Sequence, residues 1–245
     1  MKSTRLVLVA GGMMLSGAAL AQLQIVSNLG GTFTDISGSG TALNPTDDSE
    51  HNIFTTVGNK IFAAGDVRIG NNGGMGFGIT TGDLGFGNVA IPATGGATGV
   101  FTNATPANPQ ALLPYWDDLF PGATGNIYWQ ESAGILTVQW NSEEHFLGGG
   151  STATFQVKIF STGPVYAQFL YSSILGANFV GGTSATIGYM DGAVGGPNGG
   201  DNIQYSFNTA NAVSDGTVLS IVPEPGTFVA IGIGLAGLAL ARRRR

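Results

Sequence analysis

Four aspartates form two adjacent pairs that have the chemistry of a calcium site. Asp117 and Asp118 follow a Pro-Tyr-Trp run, and Asp47 and Asp48 lie upstream in a polar stretch. Ca²⁺ takes about six to eight oxygen ligands, so the two pairs predict a site if their loops meet. The alternative is that Asp117 and Asp118 close a turn by bonding their own backbone. The chain has no Asp-x-Asp-x-Asp-Gly loop, and this favours the turn.

Two aromatic pairs suit the stacking of sugar rings on flat faces. Tyr115 and Trp116 directly precede Asp117, and Tyr128 and Trp129 follow shortly after. Successive residues of a strand face opposite sides, so at least one member of the second pair belongs to the core. Packing inside the domain is the favoured alternative for most of these rings. A binding site that uses Tyr115 and Trp116 is kept as a second hypothesis.

Glu143, Glu144 and His145 are weak candidates for catalysis. A glycoside hydrolase needs two carboxyls in one site, whereas neighbours in an extended segment point to opposite faces. We therefore expect a solvated loop at a strand end. The chain has two histidines, no cysteine, no Gly-x-Ser-x-Gly elbow and no phosphate-binding Gly-Lys-Ser/Thr loop. The sequence predicts that the protein is not an enzyme and needs no cofactor, with calcium as the one ion considered.

Short runs of β-branched and aromatic residues, separated by Gly, Asn, Asp, Pro and Ser, predict an all-β fold. Residues 135–140 place Leu136, Val138 and Trp140 on one face, and residues 154–160 and 165–171 alternate in the same way. These three runs predict an antiparallel meander at the centre of the fold. We predict a single antiparallel β-sandwich of roughly eleven to fourteen short strands.

The remaining strand candidates lie on both sides of the meander. They are residues 32–36, 53–57, 60–64, 67–69, 127–130, 184–189, 203–207 and 218–221. Residues 71–87 hold seven glycines. They are expected to form either a glycine-bulged hairpin or an ordered loop pinned by Phe77 and Phe86. Residues 92–109 are predicted to be loop.

The first 21 residues have the composition of a secretory signal peptide, predicted to be helical. Lys2 and Arg5 form a positive region, an apolar run follows, and Ala19-Leu20-Ala21 is a small-x-small cleavage site. The predicted organisation is a signal peptide over residues 1–21, a sandwich domain over 22–222 and a C-terminal segment over 223–245. About 200 residues are enough for one domain with a sizeable core.

Between the two ends the chain is strongly acidic. Its cations are Lys60, Arg68 and Lys158, against fourteen acidic residues, which gives a formal charge of −11. Such a body repels phosphate backbones, so no nucleic-acid partner is expected. The lack of cysteine excludes disulfides, thiol catalysis and cysteine-ligated zinc. Polycations, divalent cations and neutral glycans remain as partners that this charge allows.

The C-terminal segment combines three features in a fixed order. Pro223-Glu224-Pro225-Gly226 comes first, and its prolines cannot donate to a sheet, so the domain must end there. Residues 227–241 carry no charge and would form a helix of about 22 Å, short of the ~30 Å apolar core of a bilayer. Four arginines close the chain, as the positive-inside rule expects at a cytoplasmic end. They are Arg242, Arg243, Arg244 and Arg245.

This arrangement resembles the PEP-CTERM sorting signal of Gram-negative bacteria. The resemblance rests on Pro223, Glu224, Pro225 and Gly226 and on the terminal arginines. It implies that exosortase, a membrane protease-transpeptidase, removes the tail after the inner membrane has held it transiently. It also implies delivery of the body to the cell surface or extracellular matrix. The alternative, an ordinary C-terminal membrane anchor, differs in that the tail is retained.

The body resembles a bacterial surface β-domain that is distantly similar to nidogen-like extracellular domains. The resemblance rests on a proline-aromatic-Trp-Asp-Asp-Leu run at 114–119, a Tyr-rich hairpin at 125–130 and a Trp-Asn strand end at 140–141. It spans most of residues 33–222 and implies a sandwich with no established catalytic activity. Those relatives often carry an Asn-Arg-Arg turn, whereas this chain has Ser132-Ala133-Gly134.

These observations predict an exported cell-surface or matrix protein with a structural or adhesive role, with exopolysaccharide of a biofilm as a partner. The alternative is a carbohydrate-binding module of the cell surface, stabilised by calcium. A secreted glycan hydrolase is a weaker third hypothesis. An exposed aromatic row with a bound cation would favour the module, and a cleft with two inward carboxylates would favour the hydrolase. A closed core with only loop carboxylates would leave the structural role.

Overall fold

All regular structure in the described part of the chain is β-strand. The computed structural model describes residues 23–91, 100–107, 109–146, 150–176, 179, 181–192 and 202–224. In these residues we find no helix with the length and apolar character needed to span a bilayer. The helices predicted for the signal peptide and the hydrophobic tail lie outside the described residues.

The strands of the described residues number sixteen, more than predicted. Their bounds are β1 Leu23–Ser27, β2 Thr41–Ala42, β3 Glu50–Thr55, β4 Gly65–Gly70, β5 Gly74–Phe77, β6 Asp83–Leu84, β7 Phe101–Thr102, β8 Ala111–Trp116, β9 Leu119–Phe120, β10 Asn126–Ser132, β11 Ile135–His145, β12 Thr152–Phe160, β13 Ala167–Leu175, β14 Thr186–Met190, β15 Ile203–Phe207 and β16 Val218–Pro223.

The larger sheet is built around the predicted meander. Its order is β1-β16-β13-β12-β11-β10-β2, with β9 paired to the end of β11. Strands β11, β12 and β13 are antiparallel neighbours, with Val138 opposite Val157 and Val157 opposite Phe169. The predicted inner face is confirmed, because Leu136, Val138 and Trp140 are fully buried or nearly so. The meander prediction is therefore confirmed in order and in orientation.

A second sheet covers the inner face of the first and makes the domain an antiparallel β-sandwich. Its order is β15-β14-β8-β5-β4-β3, and β6 pairs separately with β7. Two buried hydrogen bonds join the sheets through aromatic side chains. Trp140 Nε1 donates to the Gly70 carbonyl at 3.0 Å, and Tyr171 Oη donates to the Pro114 carbonyl at 2.6 Å. These bonds satisfy polar atoms that burial would otherwise leave unpaired.

The outer face of the larger sheet is crossed by residues 30–40, which we call the strap. The sequence predicted a strand at 32–36, and that prediction is wrong. The strap runs over the sheet face, so its backbone bonds go to side chains of successive strands. Three strap carbonyls accept hydrogen bonds: Gly30 from Gln168 Nε2 at 2.7 Å, Thr32 from Lys158 Nζ at 2.6 Å and Thr34 from Gln156 Nε2 at 2.5 Å. The Ile36 amide donates to Gln139 Oε1 at 3.0 Å.

Two other N-terminal predictions are also revised. Residues 60–64 are not a strand, because the Asn59 side chain accepts hydrogen bonds from the amides of Ile61 and Phe62 and bends the chain there. Neither alternative for the glycine-rich segment holds over its whole length. Its first part forms the turn and second strand of the β4–β5 hairpin, and its later part forms β6, which pairs with β7. Phe77 is buried, whereas Phe86 is exposed. Only one of the two rings therefore anchors the segment.

The two ends of the domain meet on one sheet. Strand β1 pairs antiparallel with β16, with Leu23 opposite Pro223 and Ser27 opposite Leu219. Following the register through β13, β12 and β11 places Pro223 at the same end of the sheet as the β10–β11 turn. The opposite end holds the C-terminus of β11 and its partner β9. We call these the terminal end and the distal end.

Candidate functional site

A small pocket at the distal end gathers three of the four predicted aspartates. Asp47, Asp48 and Asp118 line it together with Phe86 and Phe146, and it encloses about 140 Å³. Asp47 and Asp48 lie between β2 and β3, Asp118 lies between β8 and β9, and the two rings follow β6 and β11. The two acidic loops, whose meeting was the condition for a calcium site, thus come together through these three residues.

A tight turn orients the first acidic pair. The Ser49 amide donates to the Thr46 carbonyl at 3.2 Å, and the Thr46 amide donates to Ser49 Oγ at 2.9 Å. Asp48 has a φ of 52° inside this turn, a value that aspartate tolerates better than most side chains. Its Oδ1 accepts from Asn72 Nδ2 at 2.9 Å. The turn thus fixes the Asp48 carboxylate against the β4–β5 connection.

The pocket carboxylates repel one another. Partial burial raises the pKa of Asp118, and the negative charges of Asp48 and Asp47 raise it further. Burial and the Asp48 charge likewise raise the pKa of Asp47. A cationic group in the pocket would relieve this repulsion.

Asp117 does not belong to the pocket, because its side chain turns into the domain. Its Oδ2 accepts from Ser184 Oγ at 2.6 Å, its Oδ1 accepts from the Asp118 amide at 2.9 Å, and His145 Nε2 lies 3.6 Å from Oδ1. Burial is the main cause of its raised pKa. The bond to the Asp118 amide is the local turn contact that the sequence offered as the alternative to calcium.

The described residues contain no group of three or more His, Cys, Asp or Glu side chains that could hold a metal ion. The four-aspartate calcium site, with Asp117 as a member, is therefore not assembled in this structure. Asp47, Asp48 and Asp118 share a pocket without forming a ligand shell. Their chemistry is that of an acidic recess bounded by aromatic rings.

Tyr115 and Trp116 are core residues and form no exposed binding platform. Both are fully buried. Tyr115 Oη donates to the Phe179 carbonyl at 3.1 Å, and Trp116 Nε1 donates to the Gly85 carbonyl at 2.5 Å. The binding hypothesis built on these two side chains is corrected, because both faces of β8 are covered. Tyr115 packs in the core between the sheets, and Trp116 packs in a second cluster with Leu84 and Phe101.

The segment 143–145 continues β11 and is not a solvated loop. A bulge separates Trp140 from Glu143, with Ser142 at a φ of 54°. After the bulge Glu143 and His145 are buried, and Glu144 is partly exposed. Among the described residues neither oxygen of the Glu143 carboxyl has a hydrogen-bond partner. Burial, with a smaller contribution from the Glu144 charge, raises its pKa to about 8.

Sequence reasoning missed the two phenylalanines of the pocket. Phe86 is 57% and Phe146 is 53% exposed, which is unusual for such large apolar side chains. A signal existed for Phe86, because Gly85 and Gly87 leave its ring without neighbouring side chains. No comparable signal marks Phe146, whose exposure depends on where β11 ends.

The sorting residues begin at the terminal end of the domain. Pro223 is the last residue of β16, and Glu224 follows it outside the strand. Pro225, Gly226 and the four arginines lie outside the described residues. The distal pocket and Pro223 therefore occupy opposite ends of the sandwich.

The described residues define an antiparallel β-sandwich protein whose last strand runs into the Pro-Glu-Pro sequence. The chain belongs to the NIDO-related family, which it matches over residues 25–230. Residues 222–245 match the PEP-CTERM protein-sorting motif. Both resemblances named from the sequence are thereby confirmed. No curated protein and no solved structure matches the chain.

The sorting motif implies processing by exosortase and export to a surface or extracellular location. The family match gives no specific structural or adhesive role. The function of the body must therefore be argued from its own geometry.

Proposed function

We propose that the body acts, after loss of its tail, as a structural or adhesive module of the cell surface or extracellular matrix. The observation that supports this is the closed interior of the sandwich. The largest fully buried side chains are Trp116, Trp140, Tyr115, Tyr171 and Tyr189. Trp140 and the three tyrosines fill the space between the sheets, and Trp116 fills a second cluster with Leu84 and Phe101. A hydrolase would instead need an open cleft with a pair of carboxylates.

The charge of the surface supports an adhesive role toward cationic or cation-bridged polymers. Two of the three cations of the body are engaged in internal contacts. Arg68 lies 3.4 Å from Glu50, and Lys158 Nζ donates to the strap. The fourteen acidic residues therefore dominate the electrostatic field around the body.

The test is the intact mass and location of the protein in its native cells. We expect a species that begins near Gln22 and ends near Pro225, recovered in the surface or matrix fraction. Deletion of the gene should weaken the cohesion of that matrix. A species that retains Arg242 to Arg245 in the membrane fraction would contradict the proposal and make the protein a tail-anchored one.

A second candidate function is carbohydrate binding at the distal pocket. The observation that favours it is the pair of half-exposed rings, Phe86 and Phe146, beside three carboxylates. Flat aromatic faces suit sugar rings, and the carboxylates suit amino or hydroxyl groups. These phenylalanines would take the role that the sequence assigned to Tyr115 and Trp116.

Calorimetric titration with neutral and amino-sugar oligosaccharides tests the second candidate. Phe86→Ala and Phe146→Ala should each weaken binding at least about tenfold. Phe54→Ala is the matched control, because Phe54 is 66% exposed on β3 and lies outside the pocket. Equal losses in all three variants would rule out the pocket as the site.

Calcium is tested in the same preparation by its effect on the melting temperature. A rise with added Ca²⁺ that disappears in Asp48→Asn would support a calcium-stabilised pocket. No shift with either Ca²⁺ or chelator would exclude it.

A further inference from the structure

The sorting motif begins inside the folded sheet, without a spacer. Pro223 is at once the first residue of Pro-Glu-Pro and the last residue of β16. It lies opposite Leu23, and Val222 lies opposite Gln24. The residues on the N-terminal side of the motif are therefore strand residues of the mature domain.

Neighbouring strands hold β16 on both sides as far as Ile221, and β1 alone pairs with it at Val222 and Pro223. The Asn28 amide donates to the Val218 carbonyl at 3.0 Å. Hydrogen-bonded pairs recur every second residue in an antiparallel ladder, so Gln24 and Val222 form the last such pair on the β1 side. On the other side, the Tyr166 amide donates to the Ile221 carbonyl at 2.9 Å.

A chain segment held in strand pairing cannot offer its paired backbone groups to an enzyme cleft. We propose that the pairing of β1 with β16 restrains the sorting motif, and that exosortase acts on molecules in which the end of β16 has separated from β1. This inference rests on the removal of the tail by exosortase. It adds that the first strand of the domain controls how fast the last strand is released.

The separation needs only a local opening. Gln24 is partly exposed, and β1 is an edge strand that pairs with β16 alone among the described strands. Opening the Gln24–Val222 pair therefore leaves the meander and the aromatic core intact. Such edge openings cost much less than global unfolding.

Pulse-chase labelling in the native cells, with intact mass as the readout, tests the inference. Gln24→Pro removes the amide that donates to Val222 and should speed tail loss about 2- to 10-fold. Gln24→Ala keeps that amide and should be processed at the wild-type rate. It is the matched control for the loss of the glutamine side chain.

A second variant moves the motif out of the sheet. Insertion of Gly-Ser-Gly-Ser between Val222 and Pro223 should also speed tail loss several-fold. The same insertion after Ser161, in the exposed β12–β13 turn at the same end of the domain, is its control. The insertion variant tests whether strand pairing restrains tail removal even if Gln24→Pro fails to fold.

The outcomes separate this inference from sorting itself. Wild-type or slower processing of the insertion variant, with the tail still removed, would overturn the restraint and leave sorting intact. Retention of the tail in every chain, wild type included, would overturn both.

Discussion

Glu143 is a buried carboxyl whose two oxygens lack partners among the described residues. Burial raises its pKa from 4.5 to about 8. The folded state therefore holds the proton more tightly than the unfolded state does. The contribution of the Glu143 carboxyl to the free energy of unfolding is therefore fully present below about pH 4.5. It is lost as the pH rises to about 8.

Replacing Glu143 by glutamine removes this loss. We expect Glu143→Gln to exceed the wild type in unfolding free energy by about 2–4 kcal/mol at pH 8 and to differ little at pH 4. Urea unfolding at both pH values measures it. Glu144→Gln, at the partly exposed neighbouring position, is the control. It keeps the Glu143 carboxyl and removes only the smaller contribution of the Glu144 charge, so its gain over the wild type at pH 8 should be much smaller. Equal stability of Glu143→Gln and wild type at pH 8 would show that the carboxyl is solvated.

Gly73 lets the β4–β5 turn approach the loop that carries Asp118. It has a φ of +80°, and a Cβ at this position would collide with the Tyr115 carbonyl oxygen. Gly73→Ala should lower the unfolding free energy by about 3 kcal/mol or more, since positive φ and overpacking both contribute. Gly78→Ala is the control. It shares the positive φ but meets no atom within 4 Å, so about 1 kcal/mol is expected.

At the scale of elements, the strap covers the outer face of the larger sheet and buries side chains there. Gln139 and Gln156 lie on the face that alternation marks as polar, yet both are fully buried. Gln156 Nε2 donates to Gln139 Oε1 at 2.6 Å, and Gln139 Nε2 donates to Asp35 Oδ1 at 2.8 Å. The glutamines thus replace strand pairing for a segment that has no neighbouring strand.

Truncation of one glutamine tests this role. Gln139→Ala leaves the Ile36 amide buried without its acceptor and should cost about 1–3 kcal/mol. Amide hydrogen exchange at Ile36 should accelerate in parallel. Gln130→Ala removes only the exposed contact to Ser39 and should change neither quantity measurably. Unchanged exchange at Ile36 in Gln139→Ala would show that the strap is held by other contacts.

The elements that the sequence predicted well are those whose pairing is local. The meander follows from strict alternation along its three strands. The β10–β11 hairpin beside it follows from its turn, where Ala133 and Gly134 have the two positive φ values of a tight hairpin. The strap has the alternation of a strand but no edge to pair with. Its position depends on glutamines about a hundred residues away, and no local pattern reports such contacts.

The candidate site could be predicted only in part, again because local patterns can be read from the sequence and distant contacts cannot. Adjacent carboxylates are apparent in the sequence, so Asp47, Asp48 and Asp118 could be considered together. The inward turn of Asp117 depends on Ser184 and His145, which come from distant elements. The burial of Tyr115 and Trp116 likewise depends on distant elements. Tyr115 packs against Phe155 and Phe179, and Trp116 lies in a cluster with Leu84 and Phe101.

At the scale of the whole molecule, the two ends of the sandwich carry different features. The terminal end carries Leu23 and Pro223, and the distal end carries the acidic pocket, roughly 30 Å away along a nine-residue strand at about 3.3 Å per residue. Because the sorting motif implies export and processing by exosortase, we predict that the terminal end faces the bilayer in any molecule whose tail is still inserted in the inner membrane. In such a molecule the pocket should point away from the membrane.

The absence of native cysteine allows a direct measurement of this orientation. Ala123→Cys places a thiol in the exposed β9–β10 turn at the distal end, and Thr162→Cys places one in an exposed turn at the terminal end. In spheroplasts that retain the tailed protein, a bulky maleimide should label the distal thiol several times faster. Both thiols should react alike in the released body, because nothing then shields the terminal end. Equal labelling in the tailed protein would show that the domain lies on its side or away from the bilayer.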